Sequence, residues 1–177
     1  MKRKSDPQYV SINASDSASE LLSTIVAAPF GAVGIRIGLG VIRESVYLRK
    51  SFAEKIPTDA LAERAAQQII TYFQSPDFQF SLPLAAARTV FLRKVCAQIA
   101  AIARGDVLTY GEVARLVHSA LRAVGQACDA NWFPLAIPCH RVTAAGGLGG
   151  GSHHDQADSF YVGVKRWLLA YEGLTDL

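Results

Sequence analysis

Residues 138–142, Pro-Cys-His-Arg-Val, restrict the architecture of this chain more than any other part of its sequence, because they set a cysteine directly beside a histidine. They follow an apolar run, residues 133–137, that itself contains a proline. Since proline breaks helices, we expect an extended segment that ends at the cysteine. A thiol next to an imidazole makes Cys139 a candidate nucleophile.

Composition is that of a globular protein with one domain or two small ones. The chain has 177 residues, half of them hydrophobic, and a net charge of only +3, so charge alone does not indicate a nucleic-acid partner. Its three cysteines are an odd number and predict free thiols in a reducing compartment. The basic N-terminus leads into polar residues and not into an apolar signal core, and no apolar run reaches the roughly 20 residues of a membrane span. We therefore expect a cytoplasmic protein.

The first half of the chain predicts a small sheet and one helix. Residues 21–48 are rich in valine, isoleucine and leucine and are interrupted by glycines, as in short strands joined by tight turns. In this stretch, alternation is visible at Val33, Ile35, Ile37 and Leu39. Pro57 and Thr58 should open a helix with a buried stripe at Leu61, Ala65, Ile69 and Phe73. Residues 75–84 contain breakers and predict a connection, which gives a flexible tail at 1–18, an N-terminal α/β domain at 19–83 and a C-terminal domain at 84–177.

The second half predicts short helices. One begins near Phe91, ends toward Gly105 and carries Cys96 as a small core residue. Two more follow, at about 110–118 and 121–128, and their tight junction resembles a helix-turn-helix. The expected inward residues of this pair are Val113, Leu116, Val117, Leu121, Val124 and Cys128. The opposite face of the second helix carries Arg122, Ala123, Gly125 and Gln126, and either a DNA contact or an ordinary solvated face fits this pattern.

A glycine-rich loop, residues 146–151, and a polar run, residues 152–159, follow the cysteine. His153, His154, Asp155 and Asp158 lie in this loop, but their spacing and the lack of a thiolate argue against a metal site. A final helix is predicted by apolar residues at i, i+3, i+4 and i+7 from Val164, and it should stop at Gly173. That places Glu172 at its end.

Several motifs between Phe91 and Gly173 together resemble those of the O6-alkylguanine-DNA alkyltransferases. The cysteine pentapeptide is the most specific, and the others occur in the family's order. The motifs are Tyr110 with residues 111–114, Arg122-Ala123-Val124-Gly125, Asn131, Pro134, residues 138–142, and residues 165–169 leading to Glu172-Gly173. The resemblance implies an α+β fold. Its N-terminal part would be a ribonuclease-H-like small sheet with a helix, and its C-terminal part a mainly helical, winged-helix-like domain.

The resemblance also implies a function: single-turnover DNA repair, in which an O6-alkylguanine is flipped out of duplex DNA and its alkyl group moves to Cys139. In that reading His140 is the base acting through a water, and Glu172 orients it. Asn131 is a hinge amide, and Tyr110 assists the departing guanine. The implied enzyme is a methylated-DNA–protein-cysteine methyltransferase that needs no cofactor and acts as a monomer on double-stranded DNA. Whether O4-alkylthymine is also a substrate is left open.

Contacts with DNA and with the substrate follow from the same resemblance. Arg122 matches the arginine that takes the place of the extruded base. Ala123, Gly125, Gln126 and Arg141 complete the expected DNA-binding set, and the expected alkyl pocket consists of Pro134, Trp132, Ser159 and Lys165. The chain departs from the family's pattern in three places: Trp132 replaces a proline, the helix-turn-helix junction is about two residues short, and the loop after Gly150 is longer.

Two other functions fit part of the pattern. A lesion-binding protein would flip the base without transferring its alkyl group, and Trp132 with the longer loop is the feature that favours it. A thiol hydrolase would use Cys139 and His140 on a peptide or amide and would turn over many times. A repair protein that acts once is distinguished from both by how many alkyl groups each chain accepts. The resemblance also implies that the protein is associated with the nucleoid if it is bacterial, or lies in the nucleus if it is eukaryotic.

Overall fold

The computed structural model describes residues 20–149 and 160–176 and shows a mixed α+β fold. The predicted tail at 1–18, Ser159 and the histidines and aspartates of the long loop lie outside the described residues. In chain order the elements are β1 Thr24–Ala28, β2 Gly31–Gly38, β3 Val41–Leu48, α1 Ala60–Gln74, α2 Val90–Ala100, β4 Leu108–Thr109, α3 Tyr110–Leu116, α4 Leu121–Asp129, a 3₁₀ turn Cys139–Arg141, β5 Val142–Thr143 and α5 Phe160–Tyr171.

The predicted small sheet is an antiparallel meander in the order β1-β2-β3. Val33 and Ile35 point into the core as their alternation predicts. Ile37 packs against the same cluster, although the pairing of β2 with β3 shifts between Arg36 and Ile37. Leu39 lies in the two-residue turn that follows, has a positive φ of 54° and is 90% exposed. The alternation noted in the sequence therefore does not extend to Leu39.

Helix α1 covers the inner face of the sheet. It begins at Ala60, three residues later than Pro57, because the Asp59 side chain accepts a hydrogen bond from the Ala62 backbone N–H and so caps the helix. The buried face contains Ala62, Ala65, Ala66, Ile69 and Tyr72. The predicted stripe was correct at Ala65 and Ile69 but did not include Tyr72.

Helices α3 and α4 form the predicted helix-turn-helix, with a turn in which His118 has a φ of 54°. Thr109 and Glu112 form a reciprocal capping box that fixes the start of α3. Leu116 and Leu121, both predicted to face inward, are more than half exposed. Their places in the core are taken by small residues, Ala114 and Ala127. The period-based prediction failed here because helices of seven and nine residues offer only two buried positions each.

The ends of helices α2 and α5 differ in how well they were predicted. Helix α2 ends at Ala100, so Gly105, with a φ of 84°, lies in a later turn and does not cap it. Helix α5 ends as predicted, and Gly173 has a φ of 103°. None of the helices in the described part of the chain is long and apolar enough to cross a membrane.

The core places the C-terminal segments against the N-terminal sheet. Phe133, Leu135, Val164 and Leu168 belong to the same buried cluster as the inner faces of β2, β3 and α1. A second cluster lies between α2, α3, α4 and β5. The stretch at 133–142 runs between the two clusters, so both halves of the chain hold the cysteine segment in place. The proposed division at residue 83 remains a prediction.

Candidate active site

The segment that carries Cys139 is a pair of tight turns, and the predicted extended conformation was wrong. The Ile137 N–H donates to the Phe133 carbonyl at 2.8 Å, and Leu135 adopts a positive φ of 76°. One turn of 3₁₀ helix follows at Cys139–Arg141. Proline is tolerated where a turn begins, so the two prolines that exclude a long helix do not exclude these turns.

Asn131 closes the first turn with its side chain. Its Nδ2 donates to the Ile137 carbonyl at 2.8 Å, and its Oδ1 accepts from the Phe133 N–H at 3.1 Å. Ser45 on β3 holds the same segment from the other side, because its hydroxyl donates to the Pro134 carbonyl and its N–H to that of Trp132. These bonds supply the backbone partners that a helix or a strand would otherwise provide.

Glu172 lies at the centre of the site, 1% exposed. Its Oε1 is 3.0 Å from Nε2 of His140, 2.8 Å from Nη2 of Arg141 and 2.8 Å from the hydroxyl of Tyr72. Its Oε2 accepts from Nε of Arg141 at 2.9 Å. Burial alone raises the pKa of this carboxyl, but the hydrogen bonds from His140, Arg141 and Tyr72 outweigh it and lower the pKa to about 2. Glu172 is therefore ionised and fully bonded.

His140 is buried and faces this carboxylate. A carboxylate only accepts hydrogen bonds, so Nε2 must carry the proton that is shared with Glu172. The other ring nitrogen, Nδ1, then has its lone pair available, and it has no protein partner among the described residues. Burial lowers the pKa of His140 more than Glu172 raises it, which keeps the ring neutral. A neutral histidine with its tautomer fixed in this way can accept a proton at Nδ1.

Cys139 is partly exposed, next to His140 in the 3₁₀ turn. Burial raises the pKa of its thiol, although a hydrogen bond from Asn131 and the charge of Lys165 lower it. The resting side chain is therefore a thiol, and its attack on carbon needs a base to take the proton. Burial raises the pKa of Cys128 to about 12, which makes that thiol a poor nucleophile.

Tyr110 and Lys165 meet beside the cysteine turn. The short parallel pairing of β4 with β5 places Tyr110, the first residue of α3, next to the chain that leaves the turn. The Lys165 ammonium lies 5.6 Å from the Tyr110 ring and donates to the Val142 carbonyl at 2.6 Å and to that of Gly149 at 3.4 Å. A side chain at Gly149 would come within 3.3 Å of the Tyr110 ring. These contacts fix the start of the long loop next to the site.

Arg141, predicted to contact DNA, makes its hydrogen bonds inside the protein. Besides its two bonds to Glu172, it donates from Nη1 to the Ile102 carbonyl at 2.6 Å, and its side chain is 13% exposed. Arg104 donates to the Glu172 carbonyl at 3.0 Å. Arg104 and Tyr72 were not predicted as site residues. Tyr72 lay outside the predicted stripe of its helix, and no sequence pattern distinguished it.

Helix α4 carries the predicted DNA-binding face at the surface of the helix-turn-helix. Arg122 and Gln126 are exposed, and Ala123 and Gly125 are partly buried. A Cβ built on Gly125 would have no heavy atom within 4 Å, so the helix surface there is open.

Trp132 lies on a different side of the cysteine segment. The Arg88 guanidinium is 5.1 Å from its ring, and both residues line a cleft of about 490 Å³ between β2, β3 and α2. Asn131 and Cys96 also line the cleft, whereas Cys139, Lys165 and Tyr110 do not. The structure thus brings together Cys139, His140, Glu172 and Asn131 and brings Lys165 to Tyr110. Trp132 shares its cleft with Asn131 but not with Cys139, Lys165 or Tyr110.

Comparison with known proteins gives the relatives of this chain. A family model described as the DNA-binding domain of 6-O-methylguanine DNA methyltransferase matches residues 90–174. The methylated-DNA–protein-cysteine methyltransferase of Archaeoglobus fulgidus is 31% identical over 135 residues, which cover 76% of this chain and 91% of that protein. The chain belongs to the methylated-DNA–protein-cysteine methyltransferase family.

Other members of the family match over shorter regions. The constitutive methyltransferase of Bacillus subtilis is 44% identical over 87 residues, which cover 48% of this chain and 52% of the relative. The regulatory protein ada of Salmonella typhimurium is 36% identical over 93 residues, and the match spans 51% of this chain but only 26% of that protein. Both matches are shorter than the one with the Archaeoglobus fulgidus protein.

Solved structures of the family have the same overall fold. The O6-methylguanine methyltransferase of Mycobacterium tuberculosis superimposes with a TM-score of 0.69 at 26% identity and covers 84% of this chain and 90% of its own. The structure of the same organism's OGT in complex with DNA matches with a TM-score of 0.68 at 27% identity over the same shares of both chains.

Proposed function

We propose that this methyltransferase-family protein repairs DNA by moving an alkyl group, typically methyl, from O6-alkylguanine in a flipped-out nucleotide to Cys139. The observation that carries the proposal is the arrangement of Cys139 and His140 in the 3₁₀ turn and of Glu172 directly after α5. A protonated thiol stands beside a neutral histidine whose far nitrogen is bonded to a buried carboxylate. Family membership supports the substrate, and the geometry supports the role of each residue.

The reaction is a single displacement at carbon. The thiol proton passes through a water molecule to Nδ1 of His140 while the sulfur forms a bond to the alkyl carbon. The bond from that carbon to O6 breaks, and its electron pair stays on the guanine. Tyr110 donates a hydrogen bond or a proton to the leaving base, which neutralises its developing charge. The thioether is not readily cleaved by water, so each chain acts once.

The water follows from local geometry as well as from the family's mechanism. Successive residues of a 3₁₀ helix point about 120° apart, because the helix has three residues per turn. The side chains of Cys139 and His140 therefore diverge, and His140 turns to Glu172. We therefore assign the proton transfer from Sγ to Nδ1, which has no protein partner among the described residues, to a bridging water.

The remaining site residues are proposed to position the segment and the base. Asn131 fixes the turn that presents the thiol. Lys165 anchors the chain that leaves the site and, with Pro134 and Ser159, belongs to the proposed alkyl pocket. Trp132, which was also expected there, lines the other cleft, and we leave it out of the proposed pocket. For Arg141 we replace the expected DNA contact with a role as the charge partner of Glu172, because its hydrogen bonds point inward.

The proposed DNA surface is the exposed face of α4, with Arg122 in the place of the extruded base and Ala123, Gly125 and Gln126 beside it. Small residues there permit close approach to a groove. The finer fold assignments belong to the same proposal: a ribonuclease-H-like N-terminal domain, a winged-helix-like C-terminal domain, and action as a cytoplasmic monomer.

Arg122→Ala should slow repair of duplex DNA by about 10-fold or more, since extruding a base costs a few kcal/mol and the inserted side chain offsets part of it. The reaction with the free modified base needs no extrusion and should keep its rate. Arg115→Ala, at an exposed arginine on α3, is the matched control and should behave as wild type. Equal losses on duplex and free base would contradict the assigned role.

The number of alkyl groups accepted per chain tests the proposed function. With excess duplex containing O6-methylguanine, lesion loss should stop at one per protein chain. Loss that continues beyond that number would indicate a hydrolase. Tight binding of the modified duplex with no loss of the methyl group would indicate a lesion-binding protein.

A further inference from the structure

Tyr72, on helix α1, brings a hydroxyl from the N-terminal half of the chain into the site. It is 2% exposed, and its hydroxyl lies 2.8 Å from Oε1 of Glu172, a residue 100 positions later in the chain. That oxygen also accepts from Nε2 of His140 at 3.0 Å and from Nη2 of Arg141 at 2.8 Å. One oxygen atom is thus shared by three donors from three segments.

We propose that Tyr72 is a positioning residue of the alkyl transfer. Its hydroxyl fixes the Glu172 carboxylate and limits how strongly this carboxylate attracts the shared proton of His140, so that the imidazole stays neutral and able to accept the thiol proton. The inference rests on the proposed function for its catalytic meaning, and on the hydrogen-bond geometry alone for its effect on His140.

The direction of the Tyr72 hydrogen bond is fixed by chemistry. A carboxylate offers no proton, so the phenol donates. Burial and the neighbouring Glu172 charge raise the pKa of Tyr72 far above its ordinary value, which keeps the proton on the phenol. The donor is therefore present throughout the pH range in which the protein would act.

The ring of Tyr72 is held in place on several sides. Its centroid lies 5.3 to 5.7 Å from the ring centroids of Phe73, Phe80 and Tyr171. The Tyr171 hydroxyl donates to the Tyr72 carbonyl at 2.7 Å. A side chain packed in this way keeps its hydroxyl in one position, and so orients the carboxylate.

Removing the hydroxyl leaves Oε1 with two donors in place of three. The negative charge on that oxygen is then less neutralised and attracts the His140 proton more strongly, which raises the pKa of His140. The other groups that face His140 and Glu172 are unchanged by this substitution. They are Arg141 and Cys139 in the 3₁₀ turn, Arg104 after α2, Tyr47 on β3, and Lys165 and Tyr171 on α5.

The test is Tyr72→Phe, with Thr71→Val as the matched control. Thr71→Val removes a neighbouring hydroxyl on the same helix that bonds to the Gln67 carbonyl and not to the carboxylate. Single-turnover transfer from methylated duplex is measured against pH. We expect the acid limb of the rate profile to move to higher pH by about one unit in Tyr72→Phe, because a protonated His140 cannot act as base, and to stay in place in Thr71→Val. A limb that stays in place in both variants would overturn the proposal.

Two further measurements keep the inference testable. Incorporating 3-fluorotyrosine at position 72 makes the phenol a stronger hydrogen-bond donor, and should move the acid limb in the opposite direction. Titration of the His140 ring by NMR, without DNA, should show the higher pKa in Tyr72→Phe; an equal pKa would refute the inference. The NMR titration does not depend on alkyl transfer. A wild-type protein that fails to transfer would overturn the proposed function, and the titration would still show whether Tyr72 affects the pKa of His140.

Discussion

Cys139→Ser should abolish alkyl transfer, with a loss of at least about 1000-fold in single-turnover rate. Serine preserves the shape of the side chain, but its hydroxyl is far less acidic and less nucleophilic than a thiol, and the neutral His140 is too weak a base to compensate. Binding of modified duplex should persist, because the exposed face of α4 is unchanged. Rapid-quench measurement of the remaining lesion, together with a binding titration, checks both parts.

Cys96→Ser and Cys128→Ser are the matched controls for this substitution. Both thiols lie within the same half of the molecule, and burial raises the pKa of each. Neither cysteine belongs to the 3₁₀ turn that contains His140, so both variants should retain transfer near the wild-type rate. Loss of transfer in Cys128→Ser with retention in Cys139→Ser would show that the acceptor had been wrongly assigned.

Glu172→Gln should reduce both stability and activity. It leaves the Arg141 guanidinium, 13% exposed, without its charge partner, and breaking a buried pair in this way costs about 3 to 5 kcal/mol. The amide also presents an NH₂ group where three donors now converge on an acceptor, which disturbs the His140 tautomer. Chemical denaturation measures the first effect, and single-turnover transfer below the new melting temperature measures the second.

The same carboxylate should make wild-type stability fall in acid. Glu172 has a pKa of about 2 in the folded protein, against about 4.3 in an unfolded chain, so its ionised form favours the folded state by roughly 3 kcal/mol. This contribution is fully present above about pH 4.3 and is lost as the pH falls toward 2. Glu172→Gln should lack that component of the pH dependence.

Glu44→Gln provides the comparison for a surface pair. Glu44 bonds to Arg36 at 3.0 Å, but both side chains are partly exposed, and such pairs contribute at most about 1 kcal/mol. Its loss should be small and should leave the acid dependence intact. A Glu172→Gln variant as stable as Glu44→Gln, with an unchanged acid dependence, would contradict the buried network.

Local signals in the sequence predicted the elements that are determined by interactions between residues close together in the chain. The sheet, the paired helices α3 and α4, and the end of α5 at Gly173 follow from periodicity, from capping and from the freedom of glycine to adopt positive φ. The pairing of Cys139 with His140 was visible because the two are adjacent. Its extension to Glu172, Asn131 and Tyr110 came from the family resemblance and not from spacing.

Interactions between distant segments were not predictable from the sequence. Tyr72 and Glu172 are 100 positions apart, and a tyrosine on an inward helix face looks the same whether its hydroxyl meets a carboxylate or not. The extended conformation predicted for residues 133–137 failed because the side chains of Asn131 and Ser45 supply partners that make a tight turn stable. The resemblance gave Arg141 as a DNA contact, and nothing in the sequence pointed to its partner Glu172, which lies 31 residues away.

The mass of the peptide that contains Cys139, after incubation of the protein with duplex DNA carrying one O6-methylguanine, tests the central claim most directly. We predict that this peptide gains one methyl group in place of a hydrogen, that fragmentation places the gain on the cysteine sulfur, and that the DNA recovers an unmodified guanine. An unmodified Cys139 peptide with the lesion intact, or a methyl group on another residue, would contradict the account.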